Sequence, residues 1–317
     1  MAGLRTNSRI LLAALSGGTY GGNPNPGPAD AVRINDDLAI VPIEAELVER
    51  NQLAGFGGMT NSSLLANVLR KITFSCELTT SGTPGTPPAH GIFLRACGFA
   101  ETIVAGTSVT YTPIDDIATM EDIALCPYID HVKFQMLGSR GQVSISGSRN
   151  GNGLIGNFTF MGRYSPVTED WPVSPTFGNH ADPLAFESGN TDQASILGFA
   201  ACIESFNLDK GNNLVPRNLA NCSHTVEITN RKVSGTVDIE LPKPTAFDLY
   251  TEIKNRTEGL ITLRQLDASG GYTIVNVNHA VLNPTGEPTD VDGFQHVGVE
   301  YEGINPTANT DCSLVFT

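Results

Sequence analysis

Residues 70–99 have the sequence RKITFSCELTTSGTPGTPPAHGIFLRACGF, and this stretch decides the kind of fold that the chain can form. In residues 70–78 an apolar side chain occupies every second position, which is the period of a half-buried β-strand. Residues 79–88 are rich in glycine, proline, serine and threonine, a composition that ends a strand and forms turns. A short helix over about residues 88–97 follows, and Gly98 is its expected stop. The stretch therefore predicts a β-rich unit with one short helix.

The second half of the chain repeats this order at a constant distance. Arg231 lies 231 − 70 = 161 residues after Arg70, and Gly259 lies 259 − 98 = 161 residues after Gly98. Between these two positions, a strand-like segment at residues 231–241 leads into a helical pattern. A repeat of strand, helix and glycine stop indicates an internal duplication.

The helix of the second half is predicted over about residues 246–258. Thr245 is its expected N-cap, because a threonine hydroxyl can accept a hydrogen bond from the first helical turn. Gly259 is its expected end. A helical period places three apolar side chains on the face that would be buried, namely Phe247, Tyr250 and Ile253.

The duplication divides the chain into four segments. We expect an N-terminal arm at residues 1–36, a first β module at 37–165, a connector rich in proline and glycine at 166–195, and a second β module at 196–317. Short apolar runs separated by turn residues recur through both modules, so the fold class is mainly β.

The composition favours a folded protein that does not bind nucleic acid. Hydrophobic residues make up 40% of the chain and charged residues 16%, which is far from the signature of disorder. Its 19 lysines and arginines against 33 aspartates and glutamates give a net charge of −14. A protein that grips phosphates needs a cluster of cations, and this chain has none. We therefore expect it to repel DNA, and the same charge also keeps it dispersed.

The sequence carries no motif for catalysis or for a bound cofactor or metal. Nucleophile elbows, zinc-protease motifs and phosphate-binding loops are absent. The acidic pairs Asp115-Asp116 and Glu121-Asp122 lack the spacing of a calcium loop. The six cysteines form no CxxC pair, and we expect them to be reduced and buried, with Cys76, Cys202 and Cys312 inside apolar strands.

Two segments near the N-terminus are candidates for contacts with other copies of the chain. Residues 17–28 are too rich in glycine and proline for a helix or a sheet, so they are expected to form an extended arm containing Tyr20. The loop at residues 51–65 carries apolar side chains among glycines, and it either docks on another subunit or folds back on its own module. The candidate contact residues are Tyr20, Leu53, Phe56 and Met59.

The start of the chain has a short apolar run, residues 10–15, after two arginines. This run is at the short end for a signal peptide, and no cleavage site follows it. No segment approaches the ~20 apolar residues that a membrane-spanning helix needs. The sequence thus predicts no membrane anchor.

Several stretches together resemble the tail tube proteins of one family of siphophages. The central one is Ser-Gly-Thr-Pro-Gly-Thr-Pro-Pro at residues 81–88 followed by Leu-Arg-Ala-Cys-Gly-Phe at residues 94–99. An apolar run followed by Tyr-Gly at residues 10–21 also fits the family. Further similar stretches lie at residues 109–113, 138–141, 158–164 and 228–232. The loop at residues 51–65 departs from the family pattern.

The resemblance implies a fold of tail-tube-type antiparallel β-sandwich modules, each with a flanking short helix, duplicated in tandem. It further implies that the sheets of neighbouring copies join around a lumen, which leaves no free lateral edge. Rings then stack head-to-tail into a filament. With two modules in each chain, three chains would complete a ring, whereas a single module would require six chains.

The function implied by the resemblance is that of a structural, non-enzymatic virion protein. DNA would pass through the tube without specific binding. The implied partners are other copies of the chain, a tape measure protein and a tail terminator protein. The protein would be made in the cytoplasm of the host bacterium and reside in the virion tail. Two other classes stay open on the residues alone: a monomeric β-sandwich binding module of the adhesin or carbohydrate-binding type, and an enzyme on a β scaffold.

Overall fold

The computed structural model describes residues 4–5, 8–50, 63–171, 174–284, 286–306 and 309–317. These residues form a mainly β protein with two short α-helices, α1 (Gly91–Ala96) and α2 (Leu249–Asn255). The strands are β1 (Arg9–Leu15), β2 (Ala31–Val32), β3 (Ala39–Val48), β4 (Leu64–Glu77), β5 (Phe99–Val104), β6 (Ser108–Pro113), β7 (Ile123–Ile129), β8 (Val132–Lys133), β9 (Met136–Ser148), β10 (Ile155–Tyr164), β11 (Thr168–Glu169), β12 (Gln193–Ile196), β13 (Phe199–Ala200), β14 (Ile203–Asp209), β15 (Asn213–Arg217), β16 (Thr225–Asn230), β17 (Ser234–Glu240), β18 (Glu258–Leu266), β19 (Tyr272–Leu282), β20 (Thr289–Val291), β21 (Phe294–Gly303) and β22 (Cys312–Phe316).

A long antiparallel sheet runs through both halves of the chain. Its strands follow the order β3-β4-β10-β9-β14-β17-β21-β20. The pairing of β9 with β14 joins the two halves, because the first four of these strands precede residue 165 and the other four follow residue 202. We call this eight-stranded array the long sheet.

A second layer packs against one face of the long sheet. It has the order β5-β6-β22-β19-β18-β12-β13. The strands β1, β2, β7 and β8 form a separate group beside the first half, which joins the long sheet where β7 pairs with β9. One hydrophobic cluster fills the space between the layers and draws residues from both halves. At its centre Phe74 of β4 contacts Phe93 of α1, with ring centroids 4.9 Å apart. The two-layer arrangement is a β-sandwich, as the resemblance to the tail tube proteins implies.

The apolar run near the N-terminus is a strand of the core. β1 pairs along its whole length with β7, and Leu11 and Leu12 are both buried although they point to opposite faces. A run of consecutive apolar residues suits a strand that is covered on both faces. This part of the segment that we expected to be a surface arm is therefore a strand. The segment boundaries at residues 36, 165 and 195 stay predictions.

The helix of the second half is shorter than predicted. The N-cap is Asp248, whose carboxylate accepts a hydrogen bond from the Thr251 backbone N–H, so the prediction of Thr245 was wrong. The helix ends at Arg256, which adopts a left-handed conformation with φ 54°, and Gly259 lies in β18 instead. Tyr250 is 49% exposed and does not belong to the buried side of the helix. An aspartate is an N-cap at least as good as threonine, and it lies nearer to the buried Leu249.

The cysteines are all free thiols, and four of them are buried. Cys202 is exposed in the segment between β13 and β14, so the expectation that it lies in a buried strand was wrong. Cys222 is also exposed. Its neighbours are polar, which places it in the turn between β15 and β16.

Candidate functional site

The long sheet has one apolar face and one polar face. Cross-strand partners share a face, and the rows through Phe74, Cys76 and Phe206 point into the core. The alternate rows carry short hydroxyl and amide side chains together with carboxylates. This set is called the polar face and consists of Lys71, Thr73, Ser75, Glu77, Arg140, Gln142, Ser144, Ser146, Ser148, Asn157, Thr159, Arg163, Ser205, Asn207, Asp209, Ser234, Thr236, Asp238, Glu240, His296, Glu300 and Glu302.

The charges on the polar face are unevenly distributed. The first half contributes Lys71, Glu77, Arg140 and Arg163, and both arginines also lie against the Tyr20 ring. The second half contributes five carboxylates: Asp209, Asp238, Glu240, Glu300 and Glu302. Hydrogen bonds from Arg256 lower the pKa of Glu302, and Lys232 lies 3.5 Å from the same carboxylate. Within the described ranges, no lysine or arginine forms an ion pair with the other four. The cations of the face therefore lie in the first half, and the second half is acidic.

The hairpin of β3 and β4 extends beyond the rest of the long sheet. Residues 64–68 of β4 pair with β3 alone, because the pairing with β10 begins at Leu69. This projecting part exposes Leu47 (67%), Val48, Leu64 and Leu65 (63%). A two-stranded hairpin has too little buried surface to be stable alone in water, and clustered apolar residues on a surface mark a contact. The projecting hairpin thus has the character of a docking element.

In the described part of the chain, the long sheet ends in an unpaired edge at β3 and at the short β20, beside which β19 pairs with residues 301–303 of β21. β3 pairs only with β4, and β20 pairs only with β21. Unpaired N–H and C=O groups on an edge strand are a template for another strand. A sheet with two open edges and one polar face can be extended sideways by further copies of itself.

A comparison of the sequence with known families identifies the family of this chain. The sequence profile of the family described as phage tail tube protein matches residues 9–304. The chain belongs to the phage tail tube protein family. The search of the curated proteins finds no match to it.

Membership of the tail tube family carries a structural role in the virion tail and self-assembly into a tube. It confirms the resemblance in residues 81–99 and the mainly β sandwich class. In the described ranges, no helix is long and apolar enough to cross a membrane.

Three of the four candidate contact residues, Leu53, Phe56 and Met59, lie outside the described residues. Tyr20 is described, and it anchors the N-terminal segment within its own chain. Its hydroxyl donates to the Gly138 carbonyl at 2.7 Å and accepts from the Val226 N–H at 2.6 Å. The guanidinium carbons of Arg140 and Arg163 lie 5.2 and 5.8 Å from its ring centroid. Its contact with another copy stays a prediction.

Replacing Tyr20 by phenylalanine should lower the free energy of unfolding by about 1–3 kcal/mol. Burial raises the pKa of the Tyr20 phenol, so its hydroxyl keeps its proton and serves both bonds. Loss of the hydroxyl leaves the Val226 N–H without an acceptor. Urea denaturation of the monomer measures the change. Tyr250→Phe is the matched control, since Tyr250 is 49% exposed, and equal effects of the two substitutions would contradict this role of Tyr20.

Two buried charged residues, Lys210 and Asp267, form hydrogen bonds between the two halves of this tail tube protein, and no local sequence motif predicts them. The Lys210 ammonium donates to the carbonyls of Cys97 and Gly98, at 2.6 and 2.7 Å, and so caps the end of α1. It also lies 3.8 Å from the ring centroid of Phe99. Burial lowers the pKa of Lys210 to about 8. The group is a structural cation rather than a binding site.

Asp267 is the second of these links. Its carboxylate accepts hydrogen bonds from the Thr80 N–H and hydroxyl and from the Ser269 N–H and hydroxyl, and a longer one from the Gly271 N–H. Burial by itself would raise the pKa of this carboxyl, but the hydrogen bonds from Ser269 and Thr80 lower it. The carboxylate thereby fixes the turn after β4 to the turn between β18 and β19.

Replacing Asp267 by asparagine should lower the free energy of unfolding by about 2–4 kcal/mol, because an amide nitrogen would face donors. The contribution of Asp267 is present above the unfolded pKa of ~3.9 and is lost as the pH falls through the lower folded value. Urea denaturation between pH 7 and pH 3 measures both effects. The exposed Asp116→Asn is the control. A loss in D267N no larger than in that control would contradict this role of Asp267.

Proposed function

We propose that this tail tube protein polymerises into stacked rings, and that the polar face of the long sheet lines the bore through which phage DNA passes. The observation that carries the proposal is the long sheet itself, which is continuous over eight strands, ends in an unpaired strand on each side and carries mostly polar side chains on one face. Joining the open edges of successive chains closes the sheet into a barrel, and closure removes every lateral edge.

We infer a ring of three chains rather than six. Each half of the chain contributes four strands to the long sheet, so three chains would supply about 24 strands to one barrel. With strands ~4.8 Å apart and tilted by ~40°, such a barrel is about 50 Å wide between opposite backbones. Porins with fewer strands already enclose water-filled channels. A bore of this width leaves room for a hydrated duplex.

The second half of the polar face suits a conduit because its strands carry carboxylates and no lysine or arginine. Carboxylates such as Asp209 and Glu300 repel phosphates, and serine and threonine hydroxyls bind water as readily as DNA. The cations of the first half are held by partners within the chain: Arg140 pairs with Glu227, Arg163 donates to the Gly21 carbonyl, and Lys71 is accompanied by Glu77 on the same strand. The protein would therefore act without catalysis and without specific DNA binding.

Stacking of the rings would use the projecting hairpin. Its exposed apolar side chains, together with Leu53, Phe56 and Met59 from the sequence between β3 and β4, would dock on the next ring in a head-to-tail contact. The N-terminal segment around Tyr20 would lie beside this contact. A tape measure protein within the bore and a tail terminator protein at the end of the tube are the expected partners, and assembly would begin in the host cytoplasm.

Electron microscopy of the purified protein tests the proposal. We expect rings and tubes with a central channel, and views along the axis should show three chains in each ring. Isolated globular monomers at high protein concentration would contradict the proposal. They would favour instead the monomeric binding module, for which the described strands of the polar face offer a single exposed aromatic ring, that of Phe294.

A further inference from the structure

We propose that the joint between neighbouring chains copies the joint between the two halves of one chain, so that Ala39 of one chain lies opposite Thr289 of the next. This inference rests on the proposed ring assembly. It goes further by naming the two edges and the register in which they meet.

The first step is a residue-by-residue correspondence between the halves. The Leu78 N–H donates to the Leu154 carbonyl, and the Leu241 N–H donates to the Gln295 carbonyl. Each leucine directly follows the glutamate that ends its strand, in β4 and in β17. Leu78 thus corresponds to Leu241, a shift of 241 − 78 = 163, and Leu154 to Gln295, a shift of 295 − 154 = 141.

The core residues obey the same two shifts. Phe74 pairs with Phe158, and their counterparts Val237 and Val299 also pair. All four side chains are buried, so the shifts carry core positions onto core positions. The shift of 161 read from the sequence brings Arg70 onto Arg231, but Arg70 lies within β4 whereas Arg231 precedes β17. The strand pairing is therefore the better guide to the correspondence.

The second step extends the correspondence to the edges. Ala39 pairs with Thr73, and Asn207 pairs with Thr236, so β3 corresponds to β14. In the same way Ser146 pairs with Ile155 and Thr289 with His296, so β20 corresponds to β9. Within the chain, Ser146 lies opposite Asn207 at the joint between the halves. Its counterpart between chains is Thr289 opposite Ala39.

The backbone directions agree with this register. The backbone N–H of Leu78 points to β10, so by alternation along β4 the backbone groups of Thr73 point to β3 and pair with those of Ala39. The backbone groups of Leu38 and Ile40 therefore point away from β4, toward the open edge. The backbone carbonyl of Gln295 points to β17, so the backbone groups of His296 point to β20 and pair with those of Thr289. The backbone groups of Pro288 and Asp290 therefore point away from β21, toward the open edge. The proposed register sets Ile40 opposite Pro288 and Leu38 opposite Asp290. Outward donors and acceptors therefore meet, except at the nitrogen of Pro288, and the Leu38 carbonyl also accepts a 3.4 Å hydrogen bond from Arg9 of its own chain.

The side-chain faces agree as well. Ala39 shares a row with Thr73 and Thr289 shares a row with His296, and both rows belong to the polar face. A shift by one residue would turn the polar face of one chain toward the core of its neighbour. Both Ala39 and Thr289 are exposed in the single chain. Pro42 ends the regular edge of β3, which limits the joint to a few residues, as is usual for a protected edge.

Disulfide trapping tests the register. The backbone N–H of Lys210 donates to the Val143 carbonyl across the internal joint. Because hydrogen-bonded and non-hydrogen-bonded pairs alternate along antiparallel strands, Ser146 and Asn207 form a non-hydrogen-bonded pair, with Cα atoms ~4.5 Å apart. That distance allows a disulfide. We therefore introduce A39C and T289C into a C202S/C222S background, which removes the two exposed native thiols. Assembled tubes are oxidised and separated by non-reducing electrophoresis.

We expect a ladder of covalently linked chains that ends in a closed ring. The pair S146C/N207C is the positive control and should form a disulfide within one chain. The pair A39C/E287C, displaced by two residues, should yield at least about ten-fold less linked product, since such diagonal neighbours are ~7–8 Å apart.

Two results would overturn the inference. Tubes that form normally but link better through A39C/E287C would show another register, and tubes that link through neither pair would show other edges. Absence of rings and tubes, with the internal control still linking, would instead refute the proposed assembly on which the inference rests.

Discussion

Replacing Leu47 and Leu65 by aspartate is expected to leave a folded monomer that no longer forms tubes. The two leucines lie opposite each other on the projecting hairpin and are 67% and 63% exposed. Their replacement costs the monomer little, because exposed positions contribute little to folding. Burying two carboxylates in a contact without partners costs several kcal/mol. The critical concentration for assembly should rise at least ~100-fold, which corresponds to about 2.8 kcal/mol.

Sedimentation of tubes over a range of protein concentrations measures this effect, and circular dichroism verifies that the monomer is folded. The matched control is Ile103→Asp, since Ile103 is also an exposed apolar residue near a hairpin tip, that of β5 and β6. Normal assembly of the L47D/L65D variant would mean that the projecting hairpin makes no contact between rings.

Replacing Asp209, Asp238 and Glu300 by lysine is expected to turn a passive bore into one that retains DNA. All three carboxylates are on the polar face of the second half. Three chains with this change would place about nine cations around each ring, and phosphate contacts of that number strengthen binding by ~10³-fold or more at low salt. The gain should disappear between ~50 and 200 mM salt, because each contact releases a counterion.

Co-sedimentation of linear duplex DNA with tubes, measured across salt concentrations, provides the test. A control with the same change of charge replaces Glu169, Glu187 and Glu252, which lie outside the long sheet. Equal retention by the two variants would show that DNA binds the outside of the tube and that the polar face does not line the bore.

The local part of the fold was predictable from the sequence, because its signals lie within a few residues of each other. The alternation in residues 70–78, the turn after it and the stop at Gly98 all appear in the structure as expected, with φ 78° at Gly98. The end of α2 was missed because Arg256, rather than a glycine, adopts the left-handed conformation. A non-glycine residue in that conformation gives no sequence signal.

The arrangement of the candidate site was not predictable, because it depends on partners far apart in the chain. The polar face becomes one surface only through the pairing of β9 with β14, about 60 residues later, and no pattern within either strand specifies that partner. Lys210 and Asp267 find their partners more than a hundred residues away. Tyr20 attracted notice as a large aromatic in a glycine-rich segment, but its acceptor and donor, Gly138 and Val226, had no visible link to it.

The two halves of the chain carry different charges on the polar face, so the proposed conduit can change one half during evolution without changing the other. When one polypeptide holds two versions of the same unit, a substitution alters every second unit around the circle rather than all of them. In the proposed ring, the second half carries the carboxylates and the first half carries the projecting hairpin, so repulsion of DNA and stacking of rings could change separately. A circle of single units would have to accept every such change six times at once.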